Sequence, residues 1–379
     1  MSSVRRDLLN LFVGVLTCPD CRVSLDVSEA VPGAVGLCCA LCRRQFEIEG
    51  GVLRLLPRDI EVALSAIHRA AADDWSTALN RLDDGLRRDA SSQGHDDRLR
   101  KIVLSEMLHH DLEAKQYDDV LTEPWCVRFY YHDLVANTLR GTASAAPFVL
   151  DLCCGTGKGS LALASSGIPV LGIDISRNML SIYAQTIQLL GLDNVLLVQA
   201  DATCPPVRAE SVGYVQMIGG LHHIPDRRRC VEYVYGILQP QGLMVLHEPL
   251  IPEPLPRIRL FSLFHYPLVL TDIPRVWRAI LRRVGLARRS GSQIADLVTP
   301  WEQGLRLTEV RQLMEENAAR VLVLRGSGLF ACLQLPPWVG ESAASRVYNG
   351  LLVPIDRRLS EHQHLDRQGS AFFLVAQKS

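Results

Sequence analysis

Between residues 147 and 250 five short apolar runs alternate with helical stretches, and that alternation leaves few folds open. The runs cover 148–151, 170–174, 195–198, 213–217 and 243–248. Runs this short and apolar suit strands buried on both faces, and helices between successive strands give a parallel sheet wrapped on both sides. The fold class is therefore α/β and doubly wound. Further strands are expected at 320–324 and 371–377, with a helix at 308–317.

The first run leads into Asp151-Leu152-Cys153-Cys154-Gly155-Thr156-Gly157-Lys158-Gly159 and then the helical stretch from Ser160. Gly155 and Gly157 let the backbone turn sharply and approach a ligand without Cβ interference, while the next helix presents free N–H groups. Asp174 ends the second run about 20 residues on, where a carboxylate accepts hydrogen bonds from ribose hydroxyls. Asp201-Ala202 follows the third, where a carboxylate can accept a proton from an exocyclic amine. Taken singly, each aspartate reads equally as a helix N-cap or a solvated turn.

In order, these segments carry a resemblance. Val149 to Gly157 resembles the first motif of class I S-adenosylmethionine (SAM)-dependent methyltransferases, with Cys153 in place of the first glycine. Gly172-Ile173-Asp174-Ile175-Ser176-Arg177-Asn178-Met179-Leu180 resembles the ribose-binding segment, and Gln199-Ala200-Asp201-Ala202 the adenine-binding one. Gly219-Gly220-Leu221-His222-His223-Ile224-Pro225-Asp226 resembles a segment of quinone-biosynthesis and natural-product methyltransferases. Leu238 to Leu243 is similar to their L-x-P-G-G turn, with Gln241 for one glycine. The resemblance implies a Rossmann-like seven-stranded sheet with helices on both faces. It implies SAM as cofactor, bound by Tyr117, Asp151, Gly155, Thr156, Gly157, Asp174, Ile175, Met179, Asp201, Ala202 and Gly219. A dehydrogenase shares Gly155, Gly157 and Asp174, but Asp151 sits where its loop keeps an apolar strand end.

Methyl transfer is an in-line displacement, so the protein chiefly aligns the acceptor and excludes water. His222 or His223 would serve as a base, with His247 and Glu248 as second candidates; the structural alternative is that one histidine packs against the cofactor and the other caps a helix. Tyr117-Asp118 resembles an element near the cofactor's methionine end in relatives. The acceptor expected is a small molecule, C- or O-methylated, of natural-product or quinone type; an rRNA or tRNA base, or a SAM-binding enzyme with a non-methyl reaction, are the alternatives.

Cys18-Pro19-Asp20-Cys21 and Cys39-Ala40-Leu41-Cys42 are two C-x-x-C knuckles 17 residues apart, a spacing at which Cys18, Cys21, Cys39 and Cys42 can surround one structural Zn²⁺. Cys38 is an alternative to Cys39, and buried or redox cysteines are the plainer reading. The segment resembles the zinc-ribbon family that activates methyltransferases, here fused to its enzyme. Six basic and six acidic side chains in 1–57 favour a structural or docking role over RNA contact.

Three units follow: a zinc ribbon at 1–57, a helical connector or lid at 58–145, and a methyltransferase domain at 146–379 with a substrate-covering insertion at about 251–305. Between Arg257 and Arg289 that insertion holds eight arginines against one acid, suited to an anionic or lipophilic acceptor or to peripheral membrane contact, or else to a solvated basic helix face. Over the 379 residues, 40 basic and 41 acidic groups cancel, which argues against nucleic acid as the main partner. Apolar runs fall short of the roughly 18 residues that span a bilayer. Arg5-Arg6 and the apolar stretch before Cys18 imitate a signal peptide, but Asp7 and Asn10 interrupt it, so a reducing, cytoplasmic location is expected.

Overall fold

The computed structural model describes residues 3–31, 34–71, 75–88, 95–121, 147–251, 303–327, 358 and 371–379. Most of the arginine-rich insertion lies outside the described residues.

Parallel strands β5 (Val149–Leu152), β6 (Val170–Asp174) and β7 (Val195–Gln199) are buried along their whole length, as their unbroken apolar runs require. β8 (Val212–Ile218) and β9 (Leu238–Pro249) continue the parallel set, and β11 (Ala371–Gln377) inserts antiparallel between β9 and β10 (Arg320–Ser327). The order β7-β6-β5-β8-β9-β11-β10 reverses direction at β5, so the crevice beyond the C-terminal ends of β5 and β8 is the switch point where such sheets bind ligands. These seven strands are the expected Rossmann-like sheet.

Among the described residues the sheet is nonetheless larger, with eleven strands. N-terminal β1 (Leu25–Val31), β2 (Ala34–Cys39) and β3 (Gln45–Glu49) form an antiparallel meander, and β4 (Val52–Arg54) pairs antiparallel with β3 and parallel with β7. The edge that β7 would expose is thereby covered by the chain's own N-terminal segment. β9 also begins five residues earlier than the sequence predicts, because the 238–243 turn is absorbed into it, with Gln241 held at φ +63°.

Helix α1 (Ser3–Val13) precedes the meander; α2 (Arg58–Ala71), α3 (Trp75–Arg88) and α4 (His95–Leu121) follow it. Ile60, Leu64, Leu79, Leu104, Met107 and Leu108 from α2 to α4 pack with Leu56 as a separate small core, against which Ile175 rests. This places α4 over the C-terminal end of β6. α5 (Leu161–Ser165) follows the glycine loop, and α6 (Arg177–Leu189) starts on the cap Ser176, whose hydroxyl accepts from Met179 N–H. α7 (Arg227–Ile237) starts on Asp226, and α8 (Leu307–Glu316) lies near the C-terminal hairpin. Among the described residues no helix is long and apolar enough to cross a membrane.

Candidate active site

The loop after β5 is shaped by residues in the left-handed region: Cys153 at φ +56°, Gly155 at +52° and Gly157 at +87°. At Gly157 glycine is obligatory, since a Cβ there would lie inside the Tyr183 ring. Cys153 holds its angle without a glycine's freedom, at a cost of about 1–2 kcal/mol; its Cβ occupies the space a side chain on Gly220 would need. Asp174 ties the loop down. One carboxylate oxygen accepts from Gly155 N–H at 2.7 Å and the other from Ser176 N–H at 2.9 Å, while burial raises its pKa against these donors.

At the end of β7, Asp201 accepts from Thr203 N–H and hydroxyl at 2.8 and 2.7 Å. At the end of β8, Gly219 turns at φ +67° into a single 3₁₀ turn, Leu221–His223. Glu248 on β9, fully buried, holds that turn: its carboxylate accepts from Gly220 N–H (2.9 Å), Leu221 N–H (2.8 Å) and His222 N–H (3.3 Å), and lies 2.8 Å from His222 Nδ1. Burial alone would raise the Glu248 pKa, but His222 and these N–H donors bring it below the ordinary value.

Between these strand ends opens a cleft of about 730 Å³, its mouth included. Gly155, Asp174, Ile175, Met179, Asp201, Ala202 and Gly219 line it, so seven of the expected cofactor residues converge. Asp151 lies beneath the loop and Thr156 and Gly157 within it, none of them in the cleft wall, with Asp151 Oδ2 and Thr156 Oγ1 buried and unpartnered. Tyr117 falls near the end of α4, where side chains lie outside the described residues.

The two histidines separate. His222 is fixed in the Glu248 network, whereas His223 lines the cleft together with Glu106 and His110 of α4. The His223 and His110 rings meet edge to face at 4.6 Å. Glu106 Oε2 lies 3.2 Å from His223 Nδ1 and 3.5 Å from His110 Nε2, off the directions a hydrogen bond needs. His110 Nδ1 is 2.6 Å from Glu113 Oε1. Burial outweighs Glu106 at His223 and lowers its pKa to about 4, so the ring is neutral near pH 7. At His110 burial is overcome by Glu106 and Glu113, which raise it to about 10. Sequence reasoning missed Glu106 and His110; their spacing of four on a helix already recognised was the available signal. His247, also buried, is lowered to about 4, burial outweighing Glu248.

The four cysteines meet where the chain enters β1 and leaves β2. Their sulfurs lie within 4.8 Å of one another, and Cys18 Sγ to Cys42 Sγ is 3.8 Å, against about 3.8 Å for two thiolates on one tetrahedral Zn²⁺. The two knuckles share one geometry: Arg22 and Arg43 both sit at φ near +60°, and their N–H groups donate to Cys18 and Cys39 carbonyls at 2.9 Å. Cys38 stays in the β2 ladder opposite Asp26 and Gln45 and is not part of the cluster.

A family model described as a methyltransferase domain matches residues 149–242. The demethylmenaquinone methyltransferase of Oceanobacillus iheyensis is 37% identical over 112 residues, covering 29% of this chain and 47% of that one. That of Clavibacter sepedonicus is 36% identical over 125 residues, 33% of this chain and 50% of its own length. The chain thus spans about half the length of the curated relatives it matches. Among solved structures, a complex of the Haloferax volcanii Trm112 methyltransferase activator with a methyltransferase aligns at TM-score 0.43 and 13% identity, over 71% of this chain and 96% of that one. Over residues 149–242 the chain is therefore similar to methyltransferase domains.

Proposed function

We propose that the chain methylates a small-molecule acceptor at carbon or oxygen, of the quinone or natural-product type that its demethylmenaquinone methyltransferase relatives suggest. The observation that carries this is the convergence of Asp174 and Asp201 with the bare backbone of Gly155 and Gly219 around one cleft at the switch point. The donor set fits SAM. Asp174 has lone pairs left for the ribose hydroxyls, Asp201 faces the place of the adenine amine, and Ile175 and Met179 supply apolar walls. When bound, the cofactor supplies an electrophilic methyl group. The protein's own part is to orient the acceptor, to exclude water under α4, and to accept the acceptor's proton on neutral His223.

The four-cysteine cluster fits Zn²⁺ in a closed structural site, and 1–57, 58–145 and 146–379 serve as ribbon, lid and catalytic domain. Calorimetry with S-adenosylhomocysteine on zinc-loaded protein tests the reading. Wild type should bind, and Asp174→Asn should lose at least ten-fold in affinity while retaining a cooperative melt. Equal affinity in the two proteins would remove the ribose from Asp174. A steep fall of binding with salt, or turnover that requires RNA, would move the acceptor to nucleic acid.

A further inference from the structure

Among the described residues Glu106 is the one acidic side chain that α4 contributes to the cleft wall, and it makes no hydrogen bond there. Its side chain is 6% exposed, and both carboxylate oxygens are buried without a hydrogen bond. Leaving a buried carboxylate so placed is costly unless a cation or donor completes it. The nearest polar atoms are ring nitrogens, His110 Nε2 at 3.5 Å and His223 Nδ1 at 3.2 Å, and His223 Nδ1 is likewise buried and unpartnered. One ligand atom from each residue lies within 4.8 Å of the other two.

The Glu106–His223 separation of 3.2 Å falls within the spacing of neighbouring ligands on one metal, about 3.0–3.4 Å for bonds near 2.1 Å, and the Glu106–His110 separation of 3.5 Å lies just beyond it. The surroundings also orient the ligands. An ion bound here displaces the Nε2 proton of His110, while an Nδ1–H donating to Glu113 keeps the ring oriented, the carboxylate–histidine arrangement that fixes the tautomer of a metal-bound imidazole. Glu106 and His110 stand one helical turn apart on α4, and Glu248 anchors the turn that carries His223.

We propose that Glu106, His110 and His223 form a second metal site, distinct from the cysteine cluster, for a divalent transition-metal ion. Two imidazoles and one carboxylate favour Mn²⁺, Fe²⁺, Co²⁺ or Zn²⁺ over Ca²⁺, and three protein ligands leave coordination positions open. Those positions face the cleft, where they suit an acceptor with two adjacent oxygens, such as a catechol or a hydroxyquinol, held as its oxyanion, so that in the metal-loaded protein the ion and not His223 favours the acceptor's ionised form. This assignment of the acceptor rests on the methyl-transfer reading, whereas binding of the ion does not.

Mn²⁺ titrated into the full-length, zinc-loaded protein and followed by electron paramagnetic resonance gives the test, because manganese does not compete for a four-thiolate site. Wild type should bind one Mn²⁺ per chain, with hyperfine coupling to two imidazole nitrogens, and Glu106→Gln should weaken binding at least ten-fold while zinc content and the melting curve persist. No specific Mn²⁺ in wild type, or binding unchanged in Glu106→Gln, overturns the site. Should Glu106→Gln fail to fold, the nitrogen coupling in wild type decides alone, and its absence overturns the proposal. A catechol added to the Mn²⁺ protein should perturb the spectrum; an unchanged spectrum overturns the acceptor contact. Mn²⁺ binding without S-adenosylhomocysteine binding supports the site and sinks methyl transfer, and the converse sinks the site alone.

Discussion

Asp151 is 1% exposed beneath the glycine loop, and its Oδ2 has no hydrogen-bond partner. Burial, with Asp174 nearby, raises its pKa from 3.8 to about 6. An acid raised on folding gives stability that is complete below its unfolded value and lost as pH climbs through its folded value, here between 3.8 and about 6. The shift is worth roughly 3 kcal/mol. Asp151→Asn, which does not titrate, should therefore gain up to about 3 kcal/mol over wild type at pH 8 and almost nothing at pH 4. Urea unfolding of both proteins at both pH values reads this directly, and any loss of metal from the cysteine cluster in acid cancels because both proteins carry the same cluster. A gain independent of pH would mean that packing, not the buried charge, sets the difference.

The role of α4 extends beyond covering the cleft, because Asp111 on it caps a helix distant in sequence. Its Oδ1 accepts from Ser176 Oγ at 2.6 Å and from Asn178 N–H at 2.9 Å, and its carbonyl accepts from Asn178 Nδ2 at 2.8 Å. Ser176 follows Asp174 by two residues, so α4 and the carboxylate proposed to hold the ribose share one support. Asp111→Ala should cost about 1–2 kcal/mol as a lost cap. It should also weaken S-adenosylhomocysteine several-fold, measured by denaturation and calorimetry on one sample; unchanged affinity would show that α4 covers the cleft without bracing it. Elements of this kind mark the limit of legibility. The buried runs of β5 to β9 and the glycine loop were readable because their pattern is local. The partners of α4 were not, since periodicity reveals a helix face and not what a residue 65 positions away will offer it. β4 is three residues long, and so short a run does not say that it pairs with β7. Cys153 and Gln241 hold left-handed angles that only their neighbours' geometry imposes.

At the scale of the whole molecule, the ribbon and the methyltransferase sheet share one core. Leu9, Phe12 and Leu16 from the first helix region and Leu25, Leu37 and Phe46 from the meander join the same cluster as Leu150, Leu171, Leu196 and Val212. Phe12 meets Phe148 edge to face at 5.1 Å. The backbone is stitched as well: Thr17 N–H donates to the Pro206 carbonyl, Arg208 N–H to that of Val15, and Leu55 N–H to that of Gln199. The Arg22 guanidinium donates to the Cys204 and Pro205 carbonyls. A segment bonded this way cannot unfold without exposing β7 and the face of the sheet behind it. Cys21→Ser should therefore lower the melting temperature of the whole protein by a few degrees, each kcal/mol being worth roughly 1–2 °C at this size, rather than release an early transition of its own. Differential scanning calorimetry with and without a zinc chelator decides: one peak moving down in both cases fits a shared core. A small low-temperature peak over an unmoved main one would mean that the knuckles fold apart from the sheet they extend.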